Sequence, residues 1–477
     1  MSVKKHTIRY NFMMNLVLTA SNVLFPLITF PYASRILYAE GIGKVAFAAS
    51  VANYFTILAS LGIPTYGIRE CAKVKDDREK LSKLVQEIFI INSIATALTT
   101  VLYLCSIALI PRLQQDRTLF LIEGINIVLN LFGVNWLYQA LEQYDYITIR
   151  SLVFKTISIA LLFIFVREKN QYAAYAFVSV FALAGSNVLN FLRLRRYITL
   201  KKIYKPKLRR HLKPILILFA QNVTTSIYTN LDIFMLGIMK NDADVGYYNA
   251  AVKIKVLLTT IVTSLGNVLL PRMSYYVERR EREQFRVLMK KALKLTVFLS
   301  IFLCGFFIVS VRDCILFLAG DGFLPAVSAM KLIMPSLIPI GLSGLIGVQI
   351  LTPLNKEKYV LYSVMIGAVS DFLLNFSLIP QFGAAGAALA TTIAETLVLF
   401  VQLFLGREII EDSVRGVPWI KYILSMMTGT IPAGIFMIKS SLPVLLTLLL
   451  GGCLYLTGFS IILLVTKDDT LQDIMGK

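Results

Sequence analysis

Residues 84–110 read LVQEIFIINSIATALTTVLYLCSIALI, a run that contains one charged residue, Glu87. A helix that crosses a lipid bilayer needs about 20 mostly apolar residues, so this run predicts a transmembrane helix. Runs of similar length follow one another on both sides of it, separated by charged, Pro-containing or Gly-containing breaks. The sequence therefore predicts an all-α polytopic membrane protein with about fourteen transmembrane helices.

The predicted helices leave only short connections between them. They cover residues 10–34, 42–65, 84–110, 118–141, 146–166, 172–192, 213–239, 246–270, 293–318, 325–352, 358–380, 384–406, 417–438 and 442–466.

Composition excludes a soluble fold. The 477 residues are 57% hydrophobic and 16% charged, with a mean hydropathy of +0.70, whereas soluble domains are about 25% charged. The five cysteines show no paired spacing, and the two histidines, His6 and His211, do not favour a metal or His-based catalytic centre. The sequence contains no Walker A motif, so ATP-driven transport would need a partner protein.

The net charge of +20 would fit a nucleic-acid-binding protein if the basic residues formed a single patch. Instead, Lys and Arg concentrate in residues 69–83, 193–213 and 272–294, which fall on one side of the membrane in the predicted topology. Cytoplasmic loops retain Lys and Arg, so this pattern places both termini in the cytoplasm and the basic loops against anionic lipid. Nucleic-acid binding then loses its main support.

Domain organisation follows from the basic segment in the middle of the chain. We predict an N-lobe of six helices at residues 1–195, a cytoplasmic basic linker at 196–212, a C-lobe of six helices at 213–406, and a C-terminal helix pair at 407–477. Residues 43–69 and 246–272 match weakly, with Ser-Leu-Gly at 60–62 and again at 264–266. Two halves with six helices each enter the membrane in the same direction, which predicts a parallel repeat.

Polar residues follow one face of two helices that correspond in this repeat. Asn11, Asn15 and Asn22 share a face of the first helix. The seventh carries Asn222, Ser226 and Asn230 at intervals of four. Such faces form either the wall of a hydrated cavity or polar contacts between packed helices, and a single asparagine leaves both open. The clustering of polar groups on the seventh helix favours a cavity there.

Basic residues within membrane helices cost about 2.5–3.5 kcal/mol each on insertion scales and are therefore candidates for substrate binding. Lys155 lies near the predicted midplane of the fifth helix. Arg150 is nearer the cytoplasmic surface, and Arg35 ends the first helix near the opposite face. Lys253 and Lys255 are about 200° apart on the eighth helix, and we favour Lys253 as the residue that faces a cavity.

Four acidic residues lie in four different predicted helices: Glu123, Asp232, Asp371 and Glu395. Each could bind a coupling proton or sodium ion, or control gating, or form an internal ion pair with Lys or Arg. We expect no cofactor, only coupling to a proton or sodium gradient.

Several motifs resemble the O-antigen and capsular polysaccharide flippases. They are FPYASRIL at 30–37, LGIPTYGIRE at 61–70, FK at 154–155, NLD at 230–232 and VGYYNAA at 245–251. The resemblance spans nearly the whole chain. That family belongs to the multidrug/oligosaccharidyl-lipid/polysaccharide exporter superfamily, which also contains the MATE drug exporters and lipid II flippases.

The resemblance implies a V-shaped pair of six-helix lobes that moves an undecaprenyl-diphosphate-linked oligosaccharide from the inner to the outer leaflet of the bacterial cytoplasmic membrane. On the matching positions, Arg35 and Lys155 would contact the diphosphate or sugars, and Asp232 would be structural or gating. Polysaccharide polymerase and chain-length proteins would be partners, besides the membrane lipids. Members often have twelve helices, so the last pair here is a departure without an assigned role.

Three other functions compete with this prediction. A MATE-like drug or cation antiporter would be expected to carry more acidic than basic cavity residues. A membrane polysaccharide polymerase or ligase typically presents catalytic groups in a large outer loop, and the outer loops here are short. A structural scaffold would not require the cost of an intramembrane Lys155. We therefore predict a transporter rather than an enzyme.

Overall fold

The chain is helical wherever the structure describes it. The computed structural model describes residues 7–199 and 206–466, except for the side chains of residues 8, 221–229, 265, 267 and 268, and no strand occurs in these ranges. Helices satisfy every backbone hydrogen bond internally, as a lipid environment requires. The predicted all-α membrane fold is confirmed.

The chain divides into two compact units, Met1–Gly246 (unit 1) and Tyr247–Lys477 (unit 2). Unit 1 contains α1 to α10 and the start of α11: Ile8–Ser60, Ile63–Lys73, Arg78–Leu109, Pro111–Gln114, Arg117–Gly133, Asn135–Ala140, Tyr144–Phe165, Tyr172–Val180, Asn187–Leu194, Arg209–Met239 and Asp242–Glu278. Unit 2 continues with α12 to α20: Arg282–Val309, Val311–Ala319, Ala326–Ile333, Leu337–Gly344, Glu357–Phe382, Ala384–Leu405, Arg407–Arg415, Trp419–Lys439 and Val444–Val465. The boundaries predicted from sequence, at 195, 212 and 406, remain a prediction.

Twelve helical segments in the described ranges are long and apolar enough to cross a membrane. The first, Arg9–Lys73, contains α1, which breaks at Tyr38 (φ 56°, ψ −177°) into arms of about 45 Å and 33 Å, each long enough to span. In α10 the side chains of residues 221–229 are outside the described part of the chain. The described remainder, Asn230–Met239, is apolar but too short to be one of the twelve spans. The predicted total of fourteen is therefore not established.

Several helices predicted as continuous are interrupted. α5 ends at Gly133 because Val134 adopts a left-handed conformation (φ 42°), and the amide of Asn190 donates to the freed Gly133 carbonyl. A π-helical turn, Phe181–Gly185, separates α8 from α9. The predicted helix 325–352 is divided by a 3₁₀ turn at Met334–Ser336, which contains Pro335, and by a π turn at Leu345–Leu351. Proline lacks the N–H that a regular helix would use.

The Lys/Arg-rich end of unit 1 is held together by packing and polar contacts. A Cβ on Gly67 would lie 2.6 Å from the ring of Trp136, so α2 lies directly on α6. Lys75 pairs with Glu142 at 2.8 Å, and Tyr197 donates to Gln143 at 3.1 Å. The ends of α2, α6 and α9 therefore meet at one end of this unit.

At the opposite end of unit 1, the start of α11 packs against α1. Lys44 pairs with Asp116 at 3.3 Å, and Arg112 pairs with Asp242. A Cβ on Gly43 would lie 1.6 Å from the carbonyl oxygen of Asp242. The two backbones can approach this closely only because residue 43 has no side chain.

Replacing Gly43 with alanine is expected to lower the stability of the protein by about 1–3 kcal/mol, since the added methyl group forces the backbones apart. The measurement is the apparent Tm of the purified protein in detergent. The matched control is Gly344→Ala, where the new Cβ would meet only the Thr263 methyl group at 3.7 Å. Equal Tm values for the two variants would contradict the predicted close contact.

Unit 2 buries an aromatic core between α12 and the last two helices. The rings of Phe302 and Phe459 lie 5.1 Å apart, edge to face, and Tyr455 donates to the Phe302 carbonyl at 2.8 Å. A Cβ on Gly458 would lie 2.5 Å from the Thr428 carbonyl oxygen, so α19 and α20 are in close contact. Small residues at such contacts are typical of membrane helix pairs.

Candidate functional site

Lys155 lies in the middle of α7, about 16 Å from the beginning of that helix. The residue is 5% exposed, and its Nζ donates to Ser21 Oγ at 2.8 Å and to Asn22 Oδ1 at 2.5 Å, both on α1. These partners are neutral, and within the described residues Lys155 forms no ion pair. The described part of the chain therefore provides no carboxylate partner for this intramembrane lysine.

The polar face of α1 runs alongside this lysine. Asn15 and Asn22 are exposed, and Asn11 is buried with its Oδ1 unpaired among the described residues. Thr148 of α7 donates to the Met14 carbonyl at 2.9 Å, which fixes the first arm of α1 against α7. Lys155 and the exposed Asn15 and Asn22 form a polar strip along α7 and α1, and its role as a cavity wall remains a prediction.

Arg150 belongs to a second cluster, on a different side of α7. It is 7% exposed and donates to the Ser186 carbonyl at 2.9 Å and to Asn135 Oδ1 at 3.1 Å. Asn190 also donates to Asn135 Oδ1, at 2.9 Å. The sequence placed Arg150 where it could reach headgroups, and the structure shows its guanidinium inserted between α6 and α9.

Arg35 does not belong to the Lys155 cluster. It is exposed on α1, and its Nη1 donates to the Pro31 carbonyl at 2.6 Å, one turn earlier in the helix. The 13 residues between Asn22 and Arg35 correspond to about 20 Å along α1. The Lys155 cluster and Arg35 therefore lie at separate levels along α1.

The remaining candidates are dispersed over both units. Asn222 and Ser226 lie outside the described side chains. In unit 1, Asn230 is partly buried and Asp232 is buried. Glu123 is also buried there, and among the described residues no hydrogen bond or ion pair reaches its carboxyl group. In unit 2, Asp371 is buried, while Lys253 and Glu395 are partly exposed. Their roles in substrate binding, coupling or gating remain predictions.

Sequence reasoning missed a buried charged cluster around Glu87. This carboxylate, 0% exposed, accepts from Arg210 Nη2 at 2.6 Å and lies 2.9 Å from His211 Nε2. The other ring nitrogen of His211 lies 2.6 Å from the Tyr66 hydroxyl. The backbone N–H of Lys207 also donates to Glu87, at 2.8 Å. Glu87 and His211 are 124 positions apart, so no local sequence pattern indicates the pair.

The fold is shared with membrane proteins of known structure. It superimposes on the lipid II flippase MurJ, in an inward closed conformation, with a TM-score of 0.73 over 95% of this chain and 99% of that one, at 16% identity. A multidrug resistance MATE family transporter in an inward-facing conformation superimposes with a TM-score of 0.65 over 84% of this chain and 99% of that one, at 12% identity. At these identities the two similarities show the fold alone.

The chain belongs to the polysaccharide biosynthesis protein family, whose model matches residues 8–277. The MatE model matches residues 218–377. Among curated relatives, a putative O-antigen transporter of Escherichia coli (strain K12) is 25% identical over 85% of this chain and 98% of its own length. A putative O-antigen transporter of Shigella dysenteriae is 22% identical over 82% of this chain and 98% of its own length. The resemblance seen in the sequence motifs is confirmed.

Proposed function

We propose that this protein is a flippase that moves an undecaprenyl-diphosphate-linked oligosaccharide, such as an O-antigen or capsular repeat unit, from the inner to the outer leaflet of the bacterial cytoplasmic membrane. The observation that carries the proposal is Lys155, an intramembrane cation with neutral partners beside an exposed asparagine row. The family match and the O-antigen transporter relatives support it.

The chemistry of such a lipid matches these groups. A diphosphate needs cationic donors, and in a low-dielectric site their attraction to the anion is stronger than in water. The hydroxyl and amide groups of Ser21 and Asn22 can hydrogen-bond sugars or hold Lys155 in place until the substrate arrives. The polyprenyl chain can stay in lipid, because it needs no polar partner. Alternating access then exposes the headgroup outside.

We propose further that the protein transports its substrate without catalysing a reaction and that a proton or sodium gradient drives transport. Both termini lie in the cytoplasm in this proposal. Polysaccharide polymerase and chain-length proteins would receive its product. Relatives named as transporters and a probable flippase of Haloferax volcanii, 27% identical over 38% of both chains, support the transport part. Glu123, Asp232, Asp371 and Glu395 are the proposed coupling or gating groups.

The test is leaflet transfer in proteoliposomes of a fluorescent polyprenyl-diphosphate oligosaccharide. We expect transfer above that of empty vesicles, and no transfer of a matched lipid that lacks the diphosphate. Transfer of both lipids would argue against a diphosphate site, and transfer of neither by folded protein would reject the proposal.

A second candidate is a drug or cation antiporter, favoured by the MatE match over residues 218–377. It predicts cation-dependent efflux of a dye from the same vesicles. Efflux without leaflet transfer of the glycolipid would favour this function over the flippase.

A further inference from the structure

Two glycines of unit 1 bring α1 and α11 into backbone contact at the end opposite the Lys/Arg-rich end. A Cβ on Gly43 of α1 would lie 2.6 Å from the carbonyl carbon of Asp242 in α11. A Cβ on Gly246 of α11 would lie 2.7 Å from the carbonyl carbon of Ala39 in α1. The two helices therefore touch through their backbones, and neither glycine position has room for a side chain.

This contact is reciprocal. Gly43 and Gly246 are 203 positions apart in the sequence, and so are Ala39 and Asp242. Each glycine contacts the residue that lies four positions before the other glycine. Two segments related by a two-fold axis meet in this way. The offset is also the one at which residues 43–69 and 246–272 match, so the contact supports the predicted repeat at this position.

The backbone breaks just before both halves of the contact. α1 breaks at Tyr38 (φ 56°, ψ −177°), one residue before Ala39. α10 ends at Met239, and the non-helical Lys240 (φ −132°, ψ −148°) lies two residues before Asp242. Residues at the ends of helices absorb the change of direction when packed elements separate. A movement at the contact therefore requires no helix to unfold.

Arg112 of α4 bridges the second of these breaks. Its Nε donates to the Gly237 carbonyl of α10 at 3.1 Å, and its Nη2 pairs with Asp242 of α11. Its guanidinium also lies over the Phe47 ring of α1, 5.0 Å from the ring centre. The Arg112 and Asp242 side chains are 23% and 14% exposed, so salt screens the pair less than a surface pair. One side chain thus joins α10, α11 and α1.

We propose that this contact is a closure that separates during transport, and that Arg112 is its latch. Glycine contacts carry no interlocking side chains, so they separate and re-form without repacking a core. Loss of the bonds of Arg112 is then the main cost of opening. In the predicted topology this end faces the outside, where the headgroup has to leave. The role in transport rests on the proposed function, whereas the contact itself does not.

The first experiment cross-links the contact and measures leaflet transfer. Glu40 and Asn241 are exposed and adjoin Ala39 and Asp242. A bifunctional maleimide that joins the two cysteines of a Glu40→Cys/Asn241→Cys protein therefore ties α1 to the residue that precedes α11. Transfer of the fluorescent polyprenyl-diphosphate oligosaccharide is measured in proteoliposomes before and after cross-linking.

The control pair shares one position with the test pair. It is Glu40→Cys/Lys169→Cys, because Lys169 pairs with Glu40 at 3.7 Å and lies before α8 rather than α11. Both proteins also carry Cys105→Ser and Cys453→Ser, which remove the exposed native thiols.

We expect the cross-link between positions 40 and 241 to lower the transfer rate by about tenfold or more, because the closure can no longer separate. The cross-link between positions 40 and 169 should leave the rate unchanged. Full transfer with α1 tied to residue 241 would overturn the inference, and so would an equal loss with the control cross-link.

The second experiment does not depend on transport. Spin labels at positions 40 and 241 report the separation of the two segments by electron paramagnetic resonance. We expect Arg112→Gln to raise the ratio of separated to closed molecules by about tenfold, because it removes a charged hydrogen-bonded pair. Arg117→Gln, at the exposed start of α5, is the matched control and should leave the ratio unchanged. Equal distance distributions in folded Arg112→Gln and wild type would reject the latch.

The two experiments separate failure of this inference from failure of the proposed function. Transfer that persists through the cross-link rejects the closure and keeps the flippase. Separation that depends on Arg112, in a wild-type protein that transfers no glycolipid, keeps the moving contact and rejects the flippase. If Arg112→Gln does not fold, the cross-link in a protein with native Arg112 decides whether the contact has to open.

Discussion

Replacing Lys155 with alanine is expected to reduce the leaflet-transfer rate of a diphosphate-linked glycolipid by about tenfold to a hundredfold. A hydrogen bond to a charged group contributes about 1.5–3 kcal/mol, and this amount sets the range. The physical reason is that Lys155 is the intramembrane cation on the polar strip of α1 and α7. The measurement is the initial transfer rate in proteoliposomes with matched protein content.

Stability separates a functional lysine from a structural one. An intramembrane charge is costly, so a lysine kept for transport should leave the apparent Tm unchanged or higher when it is replaced by alanine. A lysine kept for its bonds to Ser21 and Asn22 should lower the Tm when it is lost. We expect the first result.

Two variants complete the test of Lys155. Lys155→Arg keeps the charge and is expected to retain most of the transfer, and exposed Lys80→Ala, on α3, is the control for a general loss of lysine. Normal transfer by a correctly inserted Lys155→Ala protein would remove Lys155 from the proposed site. If Lys80→Ala lost as much transfer as Lys155→Ala, the effect would not depend on the intramembrane location of Lys155.

Replacing Glu87 with alanine is expected to destabilise the protein by about 3 kcal/mol, at the lower end of the range for breaking a buried charge pair. Glu87 is fully buried and joins α3 to Arg210, to His211 and to the N–H of Lys207. Without it, that N–H loses its acceptor, and His211 loses its contact with the carboxylate. Arg210 is half exposed and can turn to water, which is why we expect the lower value.

The measurement is the apparent Tm in detergent, which should fall by about 5 °C or more. Exposed Glu79→Ala, in the first turn of the same helix, is the matched control and should have little effect. Glu87→Gln keeps an acceptor for the Lys207 N–H, so its apparent Tm should fall by about half as much as that of Glu87→Ala. A Tm for Glu87→Ala equal to that of Glu79→Ala would mean that the cluster does not stabilise this end of unit 1.

Local sequence was sufficient to find the residues whose burial in lipid is itself costly. Lys155 stood out because it interrupts an apolar run, and the structure places it beside Asn22, a residue of the asparagine row predicted on the first helix. The break at Tyr38 also falls between the predicted helices 10–34 and 42–65. Both inferences needed only residues within one or two helical turns of each other.

Long-range pairs were not visible in the same way. Arg193 was assigned to a basic topology segment, yet its guanidinium stacks on Tyr146, which lies 47 positions earlier in the chain. The left-handed conformation of Val134 was missed because valine rarely adopts it, and only the bond from Asn190 to the Gly133 carbonyl explains how the break is tolerated.

The sequence by itself determined that this chain is a bundle of membrane helices. It could do so because each helix in lipid has to satisfy its own backbone hydrogen bonds and therefore needs a complete apolar run of its own. Only the tertiary structure decided which polar groups meet: Lys155 with Ser21, Glu87 with His211, and Arg150 with Asn135. These contacts depend on how separate helices pack, and that packing brings Lys155 against Ser21, which lies 134 positions earlier in the chain.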